Sequence, residues 1–304
     1  MTKDMNRRVA LGGAMAVAGV AAAATAARAQ AQTQPKMLVI EWNMHMFSRD
    51  TAKFPYHPKA SYRPDPAKNP VDPLADYEKR MAAEGIDKAL FVQPEPYGDD
   101  HRLVLDCLHR TSPDKFKGTS LFYPKDDQAP AKLAALVKSE PRICSTRFHA
   151  HRGKTEYLNS FSDAGVRALW KQAVDLDLVV ELHIGPNYAR SAGEAIAAFP
   201  GCKVLIDHLA EQAMGTPAEF ADVLDLAQYP NVYMKLSGLN HFAKDAPLYP
   251  AERPFTRRVI AEFGPERVVW GSGTPRIVDT HMTGYPEADI ASVKGGNLKR
   301  LLVW

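Results

Sequence analysis

One alternation governs this chain. Short apolar runs of strand character, each followed by a longer run with amphipathic helical spacing, recur eight times between residues 37 and 302. The strand-like runs fall at 37–40, 88–92, 118–122, 143–148, 178–182, 203–206, 232–236 and 268–270. Helical spacing fills the gaps at 74–83, 100–110, 129–138, 163–175, 190–198, 217–227 and 254–263, and a last helix follows at 295–302. Antiparallel strands can be joined by a two-residue turn, whereas parallel neighbours need a crossover of a dozen residues or more, which these helices supply. Eight such units predict an α/β fold, a (β/α)8 TIM barrel, whose functional residues gather at the carboxyl ends of the strands.

The first 29 residues stand apart from that pattern. Asn6-Arg7-Arg8-Val9 carries a twin-arginine pair, an Ala-rich apolar stretch runs from 9 to 27, and Ala27-Arg28-Ala29 forms a small-x-small cleavage site before Gln30. These features predict a twin-arginine signal peptide over 1–29, a periplasmic protein, and a single barrel domain over 30–304. The stretch is mostly Ala and Gly, so no stable membrane anchor is expected. Its removal leaves about 275 residues, the usual length of one such barrel. The net charge of +3 comes without a basic stripe interleaved with aromatics, which argues against a nucleic-acid partner. Cys107, Cys144 and Cys202 are odd in number and far apart; they read as buried free thiols, with one disulfide as the alternative. Residues 46–73 form a long, polar, proline-rich connection around Phe54-Pro55-Tyr56-His57-Pro58. Because it follows strand one, it emerges on the functional face and reads as a lid supplying Tyr56, His57 and Tyr62; the alternative is a surface wrap.

Strand ends select the residues able to carry chemistry: Glu41, Asn43, His45, Gln93, Arg147, His149, His151, Glu181, His183, Asp207, His208, Lys235, Ser237, Gly273 and Thr274. His149, His183 and His208 are candidate acid/base groups, because imidazole titrates near neutral pH. His149 and His151, two residues apart, share one strand face. Glu41 and Glu181 are carboxylates at the ends of apolar strands, each a candidate general base. Arg147 offers two parallel hydrogen bonds to a substrate carboxylate. Asn43, His151, Lys235 and Tyr188 complete the candidate substrate contacts, and Lys235 also reads as half of an internal ion pair. Gly271-Ser272-Gly273-Thr274-Pro275 lacks the lysine and spacing of a phosphate loop.

Glu41-Trp42-Asn43-Met44-His45, Glu181-Leu182-His183, Asp207-His208 and Lys235-Leu236-Ser237-Gly238 together resemble the amidohydrolase-2 group of metal-dependent hydrolases. Ile40-Glu41-Trp42-Asn43-Met44-His45 stands where that group reads acid-x-His-x-His. Glu-Leu-His-Ile-Gly (181–185) and Ile-Asp-His-Leu-Ala (206–210) are similar to its fifth- and sixth-strand histidine motifs. Val-Tyr-Met-Lys-Leu-Ser-Gly (232–238) matches the seventh strand, and residues 265–275 match the eighth, where the group has Gly-Ser-Asp-Trp-Pro. The resemblance implies a hydrolase with a divalent metal such as zinc, and it makes His45 and His183 ligands while His208 polarises substrate. Asn43 and Gly273 replace the other two ligands, and the missing aspartate would also have taken the proton from water. The metal site is therefore expected to be weakened, with His45, His183 and His208 as the remaining metal set. The expected function is an exported hydrolase of a small carboxylate-bearing lactone, ester or amide, with a metal-free mechanism and a single zinc as the two alternatives. The alternatives are a non-oxidative decarboxylase of an aromatic acid and a non-catalytic ligand-binding barrel. A homodimer is compatible with either.

Overall fold

The computed structural model describes residues 36–150 and 157–304. Its eight strands are β1 (Ile40–Met44), β2 (Lys88–Phe91), β3 (Phe116–Leu121), β4 (Ile143–His149), β5 (Val179–His183), β6 (Val204–Ile206), β7 (Val232–Leu236) and β8 (Val268–Trp270). Each pairs in parallel with its successor in the order β1 to β8, and β8 returns beside β1, which makes the (β/α)8 barrel. The helices between strands are α1 (Pro73–Glu84), α2 (Arg102–His109), α3 (Ala129–Ser139), α4 (Ala164–Asp175), α5 (Ala189–Ala198), α6 (Pro217–Asp225) and α7 (Arg253–Phe263). Three short helices follow β8: α8 (Arg276–His281), α9 (Glu287–Ala291) and α10 (Asn297–Leu301). No helix among the described residues is long and apolar enough to cross a membrane.

Strand alternation sorts the residues into two apolar layers. One face of the strands packs on the helices, for example Phe91 with Phe116, and Phe148 with Trp170. The other face fills the barrel with Ile40, Trp42, Leu90, Val92, Val179, Leu205 and Val269. Leu298, Leu301 and Leu302 join that inner cluster, and Trp304 covers Lys88 and Lys117 at the amino-terminal ends of β2 and β3. The chain terminus thus closes the floor. Towards the carboxyl ends the same inward parity turns polar: Ser145, Arg147, His149 on β4 lie in register with Val179, Glu181, His183 on β5.

Helix starts follow local chemistry. Asp72 accepts from the Leu74 and Ala75 amides with Pro73 behind it, and Thr216 with Glu219 forms a capping box. The first strand begins at Ile40 rather than occupying 37–40, because Ile40 and Trp42 enter the barrel while Glu41 is buried on the helix side. A charged residue there reads as the end of a strand until its partners are known. The three thiols are unpaired, which sets aside the disulfide alternative, and burial pushes Cys107 and Cys144 up to about 12 and Cys202 to about 11.

The long connection after β1 is pinned rather than loose. Arg49 donates to the Ala67 and Asn69 carbonyls, Asn69 donates to the Ser48 carbonyl, and Phe54 is buried. Tyr56 packs on Tyr97 and His57 bonds the Tyr123 hydroxyl, so both are wrap residues. Tyr62 differs in being 40% exposed.

Candidate active site

The polar ends of β4 to β7 converge on one buried network. Lys235, fully buried, has Nζ 2.5 Å from Glu181 Oε1 and 2.5 Å from Asp207 Oδ1. Arg147 donates to Asp207 Oδ2 from Nε at 2.9 Å and from Nη2 at 2.7 Å, and the same Nη2 lies 2.8 Å from His183 Nδ1. A guanidinium can only donate, so His183 Nδ1 is the acceptor and Nε2 carries the proton. That Nε2–H meets Glu211 Oε1 at 2.9 Å. Burial and the neighbouring Asp207 charge raise the Glu181 carboxyl to about 7, against the pull of Lys235 and Arg147. Burial also opposes the charge of Asp207, but Lys235 and Arg147 outweigh it and hold that carboxyl well below the usual range.

Four imidazoles line the strand ends in sequence: His149–His183 at 4.7 Å, His183–His208 at 4.9 Å and His208–His241 at 5.2 Å between ring centroids. His208 Nδ1 is 2.8 Å from Ser237 Oγ, and burial pushes its pKa well below the ordinary histidine value. His45 donates Nδ1–H to the Val92 carbonyl; burial, with Arg147 nearby, lowers it to about 3. Both rings are neutral at physiological pH and present their polar edges as uncharged groups.

Local backbone delivers two of these side chains. After β6, His208, Leu209, Ala210 and Glu211 all take positive φ, between 49° and 55°. Left-handed backbone costs a non-glycine residue roughly 1–2 kcal/mol, so such a turn persists only where its surroundings hold it. Leu209 and Ala210 are buried, and Glu211 accepts from His183 and sits 2.9 Å, through each carboxylate oxygen, from His241 Nδ1. After β7, Gly238 at φ 73° passes so close to His208 that a Cβ would lie 2.6 Å from it. The turn Leu239–His241 then sets His241 beside His208.

The candidates drawn from sequence divide accordingly. His45, Arg147, His149, Glu181, His183, Asp207, His208, Lys235 and Ser237 come together. Glu41 does not: Tyr77 and Arg80 of α1 hold its carboxylate at 2.7 and 2.9 Å, so it ties a helix to the barrel rather than serving as a base. Tyr188 packs edge-on against Phe161 in the helix layer instead of reaching the pocket. Arg147 is committed to Asp207 and His183, and Lys235 is the internal ion pair. Gln93 staples its own turn through the Gly98 and Asp100 carbonyls, and Thr274 bonds Glu84. Asn43 lies at a bulge in β1, its Oδ1 buried without a hydrogen-bond partner among the described residues. His151 lies outside the described residues. Glu211 and His241 were missed, since neither ends an apolar run; their signals were a carboxylate four residues past Asp207 and a histidine three past Gly238.

Comparison with known proteins fixes the lineage. The amidohydrolase family model matches residues 40–293. The chain belongs to this family. It is an amidohydrolase-type hydrolase, similar to 4-sulfomuconolactone hydrolase of Hydrogenophaga intermedia, 28% identical over 77% of this chain and 73% of that protein. L-fucono-1,5-lactonase of Burkholderia ambifaria is 28% identical over 66% and 69%. A probable 2-pyrone-4,6-dicarboxylic acid hydrolase of Acinetobacter baumannii with citric acid bound shares the fold at TM-score 0.71, with 18% identity over 88% and 100% of the two chains.

Zinc is present in one solved relative, an amidohydrolase of Burkholderia multivorans with 17% identity and TM-score 0.68. A catalytic zinc needs three donors with available lone pairs and an open position. His183, Asp207 and His208 do bring donor atoms within 4.8 Å of one another. Arg147, however, takes the His183 Nδ1 lone pair and Asp207 Oδ2, and the Lys235 ammonium lies 2.5 Å from Asp207 Oδ1 as an ion pair. Of the expected metal set, His45 and His208 then keep one ring nitrogen each to offer, with two buried cations beside them. As arranged among the described residues, the expected set of His45, His183 and His208 does not fit a divalent ion.

Proposed function

We propose that this amidohydrolase-type enzyme opens a small, carboxylate-bearing lactone by attack of water, without a bound metal. The observation that carries the reading is the Arg147–Asp207–Lys235–Glu181 network: its two buried cations engage the His183 and Asp207 atoms that a metal would need. The two relatives named as lactone hydrolases support a lactone as the substrate class. The orphan Asn43 Oδ1 is an acceptor for a substrate donor.

Purified enzyme assayed on 4-sulfomuconolactone, L-fucono-1,5-lactone and 2-pyrone-4,6-dicarboxylate tests this directly. Turnover of at least one, unchanged by chelators, is the expected result. Activity abolished by a chelator and restored by zinc would overturn the metal-free mechanism. Carbon dioxide released from an aromatic acid, with no lactone opened, would replace the hydrolytic reading by decarboxylation.

We further propose export to the periplasm, supported by Arg7-Arg8 and the small-x-small site before Gln30. Changing both arginines to Lys should leave uncleaved precursor in the cytoplasm; normal export of that variant would sink the proposal.

A further inference from the structure

β8 runs into Gly271-Ser272-Gly273-Thr274, which offers no carboxylate, so the proton of the attacking water needs an acceptor from another strand end. Among the described residues near the network, most imidazoles are poorly suited. His183 has both ring nitrogens engaged, by Arg147 and by Glu211. His45 spends Nδ1 on the Val92 carbonyl, the buried His208 bonds Ser237 Oγ through Nδ1, and the buried His149 packs edge-on between Tyr157 and His183. Glu181 is closed in against Lys235.

His241 is different in three respects. Its side chain is 37% exposed. Its ring borders His208 at the carboxyl end of the barrel. Its Nδ1 lies 2.9 Å from both oxygens of Glu211, a buried carboxylate delivered by the left-handed turn. A carboxylate only accepts, so Nδ1 carries the hydrogen and the Nε2 lone pair points from the opposite edge of the ring.

We propose that Glu211 and His241 form a carboxylate–imidazole pair in which His241 is the catalytic base and Glu211 its positioning residue. This rests on the lactone-hydrolase reading and names the residue that activates its water. His241 Nε2 takes a proton as the water oxygen bonds to the acyl carbon. The bond from that carbon to the ring oxygen then breaks, and the proton passes from Nε2 to that oxygen, giving the hydroxy acid. Glu211 holds the tautomer and faces the imidazolium formed in between, as the carboxylate partner of a catalytic histidine does elsewhere. Because Glu211 also grips His183, it links the pair to the Arg147 network.

The test compares wild type, His241→Ala and Glu211→Gln on 4-sulfomuconolactone and L-fucono-1,5-lactone. Each variant should lose about 100-fold in kcat with little change in KM, the usual scale for one proton-transfer group. Added imidazole should restore part of the His241→Ala rate, which a merely structural residue would not allow. Nitrogen-15 NMR of the wild-type chain should find His241 as the Nδ1–H tautomer; the Nε2–H form would overturn the pair without recourse to any variant. Wild-type turnover with His241→Ala within threefold of its kcat would overturn the base role alone. A wild type that opens neither lactone would overturn the lactonase reading and the base role with it.

Discussion

Removing the buried lysine is the most severe test of the network. Lys235→Met preserves most of the side-chain volume, and swaps that conserve volume usually cost under about 1.5 kcal/mol. What changes is charge. Glu181 Oε1 and Asp207 Oδ1, both fully buried, lose the ammonium that lies 2.5 Å from each. Taking away one partner of a buried pair costs about 3–5 kcal/mol, because the remaining charge stays desolvated. At roughly 2–4 °C per kcal/mol for a domain of this size, Tm should fall by roughly 6–20 °C. Differential scanning fluorimetry at pH 7.5 reads the shift, with circular dichroism confirming the folded baseline. Adding Glu181→Gln to Lys235→Met should recover part of the loss, since one orphaned carboxylate becomes neutral, and the double-mutant cycle isolates their coupling. A Tm within about 2 °C of wild type for Lys235→Met would refute the view that this lysine balances two ionised acids.

Glu181 also sets a pH dependence. Its carboxyl sits at about 7 in the folded chain against an ordinary 4.5, so the folded state holds the extra proton between those values. Stability from this group is therefore greatest below pH 4.5 and declines as pH rises to 7. Glu181→Gln should abolish that decline, so that variant minus wild-type stability in urea grows across this window; a flat difference would refute the raised carboxyl. Arg147→Lys keeps the charge but loses the reach from Asp207 to His183, and should cost about 1–3 kcal/mol with a fall in kcat. A raised KM with unchanged Tm and kcat would instead return Arg147 to the role of substrate clamp.

Much of the barrel was legible in the sequence because repetition is a local signal. β7 and β8 fall where their apolar runs end, and the helices lie within two residues of their amphipathic spacing. The strand-end rule gathered most of the site as well, since inward parity continues along each strand from Val179 to Glu181 and His183. The rule failed at Glu41, where parity points to the helices and only the side chains of Tyr77 and Arg80 reveal the reason. It also failed at Tyr188, whose ring settled against Phe161.

By itself, then, the sequence determined the architecture and the roster of strand-end groups, because period, parity and apolar burial act over a few residues at a time. Partner choice was decided by tertiary structure alone. Arg147 lies 60 positions from the Asp207 it binds and Lys235 lies 54 from Glu181. Whether such groups are clamps, bases or counter-charges depends on distances of 2.5–2.9 Å across the barrel. The left-handed turn at His208–Glu211 is likewise invisible to local propensity, which disfavours it at each of its four residues. Tertiary packing overrides that preference and brings Glu211 to His183 and His241.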